Sequence, residues 1–206
     1  FIKAEIAKKI LVIGAETLSR VVDKSDRDSM IFSDGAGACV IEATSEKDSG
    51  ILSHATQTFA KDEVGYLFFD KSFDSNANPD NKYIKMLGRK IYEFALNNVP
   101  QAMQTALEKS GKGIDDVKKI FIHQANEKMD DAIIKRFYRL FKRQVPENVM
   151  PMNIHTFGNS SVATVPTLLD LVLKGEIENQ EVNKGDVVIF ASVGAGMNIN
   201  AIVYKF

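Results

Sequence analysis

The chain has 206 residues, 45% of them hydrophobic and 26% charged, proportions that suit one large globular unit with a substantial core. A formal net charge of −1 gives no global pull toward nucleic acid or a membrane surface, and neither is expected as a partner. No run of about 18 apolar residues could span a bilayer, no secretory signal is seen, and a single Cys permits no internal disulfide, all of which fit a cytoplasmic, reducing setting. The first residue is Phe rather than Met, so the chain reads as a fragment or a trimmed product.

In chain order, Phe1 to Lys9 reads as the tail of an amphipathic helix, with Ile2, Ile6 and Ile10 on one face. The apolar run Ile10 to Ala15 suits a parallel strand buried on both faces. Residues 16–28 are a polar connection, and Met30 to Ala43 returns to strand character, broken at Gly35-Ala36-Gly37. Cys39 lies in that strand and reads as a small core residue. Ile51 to Phe59 reads as another strand, and residues 60–82 as a surface excursion rich in Asp and Asn turn chemistry. Lys85 to Asn98 is helical; Pro100 cannot continue that helix but can open the next, Gln101 to Ser110, which Gly111 and Gly113 stop.

Val117 to Ile122 is a short buried strand, and Glu127 to Arg143 a helix with apolar residues at helical spacing. Gln144 to Asn153 connects to a short strand, and Thr164 to Lys174 is an apolar helix. Asp186 to Ser192 and Asn198 to Tyr204 close the chain as two strands joined through Gly194-Ala195-Gly196. The pattern of buried strand, glycine turn and strand at Lys8–Gly37 echoes the one at Lys184–Gly196.

His123 in His123-Gln124-Ala125-Asn126 therefore stands where a strand ends and a helix begins, the place where open α/β folds bind ligands. A lone His there is more often structural than chemical. A downstream segment, Gly158-Asn159-Ser160-Ser161-Val162-Ala163-Thr164-Val165-Pro166, changes that balance. With Phe32 to Ala38, Met86-Leu87-Gly88 before a long helix, and Val193 to Met197 before a last strand, these stretches in this order resemble the 3-oxoacyl-(acyl carrier protein) synthase III family.

The resemblance implies a thiolase-like α/β fold, layered αβαβα from two related halves. Residues 1–49 would end the N-terminal half, 50–82 connect, and 83–206 form the C-terminal half. It implies an acyltransferase that joins an acyl-coenzyme A to malonyl–acyl carrier protein by decarboxylative Claisen condensation, without cofactor or metal, as a homodimer. His123 and Asn159, 36 positions apart, would be the catalytic pair that donates to the oxygen gaining charge during decarboxylation. His123 is then expected to be neutral. Gly194, Ala195 and Gly196 would offer backbone N–H groups for acyl transfer, although the family has three glycines there and the same residues could simply make a tight turn.

By the same resemblance Arg27, Gly88 and Asn126 would contact coenzyme A or its pantetheine arm. Gln124, Ala125, Asn126, Glu127 and Lys128 would dock the carrier protein, aided by Lys135, Arg136, Arg139, Lys142 and Arg143 on the following helix. His54 and His155 have no spacing for metal and read as structural or surface residues. Cys39 does not match the family's nucleophile, which is expected upstream of Phe1, so the chain alone is expected to be inactive. Two other readings stand beside this one: a related thiolase-like acyltransferase of secondary metabolism, and a non-catalytic binding module.

Overall fold

The computed structural model describes all residues from Phe1 to Phe206. The first eight residues form a turn, not a helix: Glu5 N–H donates to Ile2 C=O, and Glu5 itself lies at φ +58°. A left-handed residue ends a right-handed turn before it can propagate.

β1 (Lys9–Thr17) pairs antiparallel with β2 (Asp34–Glu42), from Lys9 opposite Glu42 to Thr17 opposite Asp34. It is thus not a parallel strand buried on both faces. One face of the pair is covered around Gly14, Gly35 and Gly37 but leaves Val12 46% exposed, while Leu11, Ile13 and Val40 on the other are 60%, 64% and 63% exposed. Cys39 is exposed on this strand rather than in the core. Gly35 and Gly37 lie inside β2 instead of turning the chain. A Cβ at Gly37 would fall 2.3 Å from Pro166 Cγ, and one at Gly35 would fall 2.8 Å from Ser160 Cβ. These glycines serve a close approach, not a bend.

β3 (Gly50–Thr58) leaves this pair and joins the main sheet beside the last strand, so it packs with the C-terminal half rather than connecting the two. The surface excursion contains β4 (Leu67–Asp70), paired antiparallel with β5 (Tyr83–Met86). Lys85 of β5 ties the excursion to the polar 16–28 connection. Its Nζ donates to Asp23, and to Asp26 Oδ2 at 3.0 Å; Asp23 also accepts from Ser72 Oγ and Phe73 N–H, each at 2.8 Å. Burial opposes the charge on both Lys85 and Asp23, but the hydrogen bonds outweigh it. Asp23 is held far below the usual carboxylate range and Lys85 above its ordinary value.

α1 (Gly88–Ser110) is one continuous helix and does not break at Pro100. Pro100 removes the N–H that would bond Leu96 C=O. Arg136 replaces it, its Nη1 donating to Leu96 C=O at 3.1 Å and to Asn97 Oδ1 at 2.7 Å. The chain continues through β6 (Val117–Ile122), α2 (Glu127–Leu140), α3 (Ile154–Phe157), α4 (Thr164–Leu173), β7 (Val187–Gly194) and β8 (Asn198–Lys205). Residues 144–153 lead to α3 rather than to a strand; two of their carbonyls accept from β6, Val149 C=O from Ile120 N–H at 2.8 Å and Asn148 C=O from Lys119 Nζ at 2.6 Å.

The main sheet runs β3-β8-β7-β6, with β6 and β7 parallel and the other pairs antiparallel. Side-chain alternation divides its two faces. Ile120, Ile122, Ile189, Ala191, Ile199 and Ala201 pack under α1 and α2. Phe121 and Val188 pack against Leu168 and Val172 of α4. α4 also lies on β2, so it is sandwiched between the two sheets. The order is helices, sheet, helix, sheet: four of the five layers expected, with β1–β2 and β7–β8 as matching antiparallel pairs on either side of α4.

Replacing Lys85 by Met would leave the Asp23 carboxylate buried without its cation. The expected loss is about 3–5 kcal/mol of folding free energy, read by urea unfolding.

Candidate active site

His123 follows directly on β6, and its backbone N–H extends the parallel pairing to Ala191 C=O at 2.9 Å. Asn126 then caps α2, its Oδ1 accepting from Met129 N–H at 3.1 Å. Between them Gln124 is fully enclosed. Its Nε2 donates to Ile122 C=O and its Oε1 accepts from Asn153 N–H, both at 3.1 Å. An enclosed side chain cannot touch a docked partner, so Gln124 shapes the loop. Asn126, Glu127 and Lys128 are exposed beside it, and Ala125 is half-buried.

Asn159 is placed by its neighbours on both sides. Gly158 has φ +66° and ψ −163°, a backbone region open essentially to glycine, and an added Cβ would lie 3.0 Å from Ile31 O. Asn159 N–H then donates to Ile31 C=O at 2.7 Å, and its C=O accepts from Ser33 N–H at 3.0 Å. Its side-chain Oδ1 accepts from Ser161 N–H at 2.9 Å, which turns the amide nitrogen outward as a donor. Ser161 lies at φ +53° and is itself anchored, its Oγ donating to Glu16 Oε2 at 3.0 Å across to β1.

His123 and Asn159 open onto one cleft of about 1160 Å³, together with Gly88, Asn126, Gly194 and Ala195. With Ala125, which also lines it, seven of the residues singled out in the sequence thus meet at one place. Gly196 is not on the wall; at φ +71° it carries the turn between β7 and β8. Ala195 keeps a negative φ, so Ala where the family has Gly strains nothing. Arg27 is exposed at the start of a 3-10 turn and off the wall, where Arg20 and Asp28 stand instead. Cys39 is not on the wall either. Arg20, Glu16 and Thr164 line the cleft without having been singled out. The first two lie in a stretch legible only as polar, whereas Thr164 stood inside the Asn159 segment and could have been weighed there.

The electrostatics are set by burial. The His123 imidazole is pushed down to about 4 by desolvation, against an upward pull from the Ser161 carbonyl, so at neutral pH it is uncharged. Asp130 of α2 is enclosed beneath the same loop, and neither carboxyl oxygen has a hydrogen-bond partner. Desolvation pushes it up to about 8; the N–H groups of Asn126 and Ala125 pull the other way but stand outside hydrogen-bond geometry. α2 ends at Leu140, short of the expected Arg143: on it Arg136 is engaged with α1 while Lys128, Lys135 and Arg139 are exposed, and just beyond it Lys142 is exposed and Arg143 is paired with Asp115. His54 and His155 are exposed as well.

Residues 107–206 match the model for the C-terminal part of 3-oxoacyl-[acyl-carrier-protein] synthase III, and residues 1–59 match the model for 3-oxoacyl-[acyl-carrier-protein] synthase III itself. The chain belongs to the 3-oxoacyl-[acyl-carrier-protein] synthase III family. It is 32% identical to beta-ketoacyl-[acyl-carrier-protein] synthase III of Aquifex aeolicus over 208 residues, which covers all of this chain and 60% of that protein. The Thermus thermophilus synthase III structure superposes with a TM-score of 0.84 at 28% identity, over all of this chain and 61% of that one. The priming beta-ketosynthase of the R1128 polyketide pathway superposes at 0.83 with 26% identity, over all of this chain and 59% of that one. The chain therefore spans about 60% of the length of the synthase III relatives it matches. Its α/β fold is thiolase-like, as these neighbours are.

The enclosed Asp130 carboxyl has a titration consequence. Its folded value, about 8, lies far above the ordinary aspartate value, so the folded chain holds a proton that the unfolded chain loses. This group favours folding below about pH 4, and that contribution is lost as pH rises toward about 8. Asp130→Asn should remove the slope: thermal melts should show the variant above the parent at pH 9, with a smaller difference at pH 5.

Proposed function

We propose that this chain supplies the decarboxylation half of a condensing site that joins an acyl-coenzyme A to malonyl–acyl carrier protein. The observation that carries the reading is the convergence of His123 and Asn159 on one cleft wall from separate elements. Loss of carbon dioxide from a malonyl thioester leaves an enolate, with negative charge on the thioester oxygen. Two fixed, neutral donors stabilise that charge without reorganising, and preorganised donors of this kind are worth about 10²–10³ in rate each. The Asn159 amide nitrogen is one donor. An uncharged His123 ring presenting an N–H is the other.

The exposed Lys128, Lys135 and Arg139 stand on the helix that starts at the cleft, and Lys142 follows just beyond its end, a placement that suits an acidic carrier protein. Gly88 and Asn126 on the wall suit the pantetheine arm. Acyl transfer from coenzyme A requires a thiolate, and no Cys lines the cleft, so these 206 residues alone bind substrate without condensing it. Homodimer formation belongs to the same reading of the whole protein. No helix is long and apolar enough to cross a membrane.

The likeness to the R1128 priming ketosynthase supports a second reading with the same donors and a different acyl partner, starter-unit condensation in polyketide synthesis. Comparing acyl-coenzyme A donors of different chain length separates the two.

In the full-length protein, His123→Ala and Asn159→Ala should each lower malonyl-thioester decarboxylation by about 10²–10³. Rates unchanged in both variants would defeat the proposal. For the 206-residue chain, intact mass after incubation with acetyl-coenzyme A should show no acetyl adduct; an adduct on Cys39 would overturn the assigned incompleteness.

A further inference from the structure

Ser161 touches both members of the pair. Its N–H donates to Asn159 Oδ1 at 2.9 Å, and its backbone acts on the His123 ring. Its C=O also accepts from Thr164 Oγ1 at 3.0 Å, and that hydroxyl lies 2.7 Å from His123 Nδ1. Yet Ser161 stands at φ +53°, a conformation that a residue with a side chain holds only when its surroundings impose it.

What imposes it comes from β1 and β2. A Cβ at Gly35 would fall 2.8 Å from Ser160 Cβ, and one at Gly14 would fall 3.1 Å from Val162 Cγ2, so the residues on either side of Ser161 lie against bare backbone. Side chains two apart in a strand share a face, which puts Glu16 on the face of Gly14 and directly opposite Gly35 in the register. There Glu16 Oε2 accepts from Ser161 Oγ at 3.0 Å, and the Ser161 hydroxyl is committed to this one carboxylate.

We propose that Glu16 is a positioning residue for the His123–Asn159 pair: its carboxylate holds Ser161 in the left-handed conformation that aims the Asn159 amide into the cleft. A hydrogen bond to a charged acceptor is worth about as much as a left-handed residue costs, so the tie is enough to decide the conformation. Without it, Ser161 is free to return to the right-handed region. Its N–H then leaves Asn159 Oδ1, and the amide that this bond orients can rotate. Glu16 lines the cleft but needs no contact with substrate for this, because it acts through Ser161. The effect on the reaction rests on the proposed function, whereas the geometric claim does not.

Two measurements test it. In ¹⁵N-labelled protein the Asn159 side-chain NH₂ pair, assigned through Asn159→Asp, should move in Glu16→Ala toward the position of exposed, mobile Asn amides, with the backbone fingerprint otherwise kept. Glu16→Gln, which retains an oxygen acceptor, should leave it in place. Ser161→Ala cuts the same tie from the other end; it should reproduce the shift, and it gives the readout should the Glu16→Ala chain fail to fold. In the full-length protein Glu16→Ala should lower kcat for malonyl-thioester decarboxylation by about 10–10²-fold, the cost of misplacing a reacting group by up to about 1 Å, with KM little changed. Glu16→Gln should restore most of the rate, and Glu16→Ala combined with Ser161→Ala should be no slower than either alone. A purely structural tie between the sheets would lower the melting temperature without splitting kcat from KM, and that result overturns the proposal. So does an Asn159 signal unmoved in both alanine variants, or a glutamine variant as impaired as the alanine one. Unaltered decarboxylation in His123→Ala and Asn159→Ala would sink the proposed function and leave the Asn159 signal to decide the role of Glu16.

Discussion

The site depends on how closely the 158–166 segment approaches β2. With no Cβ at Gly35 or Gly37, the backbone of β2 lies against Ser160 and Pro166 at distances a side chain would forbid. That contact wedges the start of α4 between the two sheets. From there Gly158 turns the chain, Asn159 joins the 31–33 loop by two backbone hydrogen bonds, and Ser161 reaches Glu16 on β1. A segment held at so many points has little freedom, which a pair of preorganised donors requires.

Strain is concentrated in the same segment. Gly158 takes a conformation reserved for glycine, and Ser161 is left-handed despite its side chain. Each would be costly alone and persists only because the surroundings fix it. Here the fixing groups are the two glycines of β2, the ion-pair-anchored 16–28 connection beside them, and the hydrophobic contact of Leu168 and Val172 with Phe121 and Val188. Stability elsewhere in the molecule is what allows the site its geometry.

Burial then sets the charge state. The cleft lowers the affinity of His123 for protons and raises that of Asp130, so at neutral pH the base is uncharged and the enclosed acid is largely protonated. Both shifts come from desolvation rather than from a partner of opposite charge. An uncharged imidazole suits donation toward a developing oxyanion.

Much was legible in the chain alone. Period-two and period-3.6 patterns located β3, β6, β7, β8, α2 and α4 to within a few residues, because each has a covered apolar face that its own sequence must supply. The two motif segments marked His123 and Asn159. Other features were set by distant residues. Pro100 reads as a break until Arg136, on another helix, satisfies the carbonyl it orphans. Gly35 and Gly37 read as a turn until Pro166 arrives from far along the chain. The run Ile10–Ala15 reads as doubly buried, since an apolar sequence records what a strand can cover and not which face is covered here. Gln124 belongs to a recognisable motif but is enclosed by Ile122 and Asn153. The sequence by itself determined the motifs in which His123 and Asn159 stand; only the tertiary structure decided which of the motif residues face the cleft, which nitrogen of His123 meets Thr164, and which charges survive, because those depend on contacts between residues far apart in the chain.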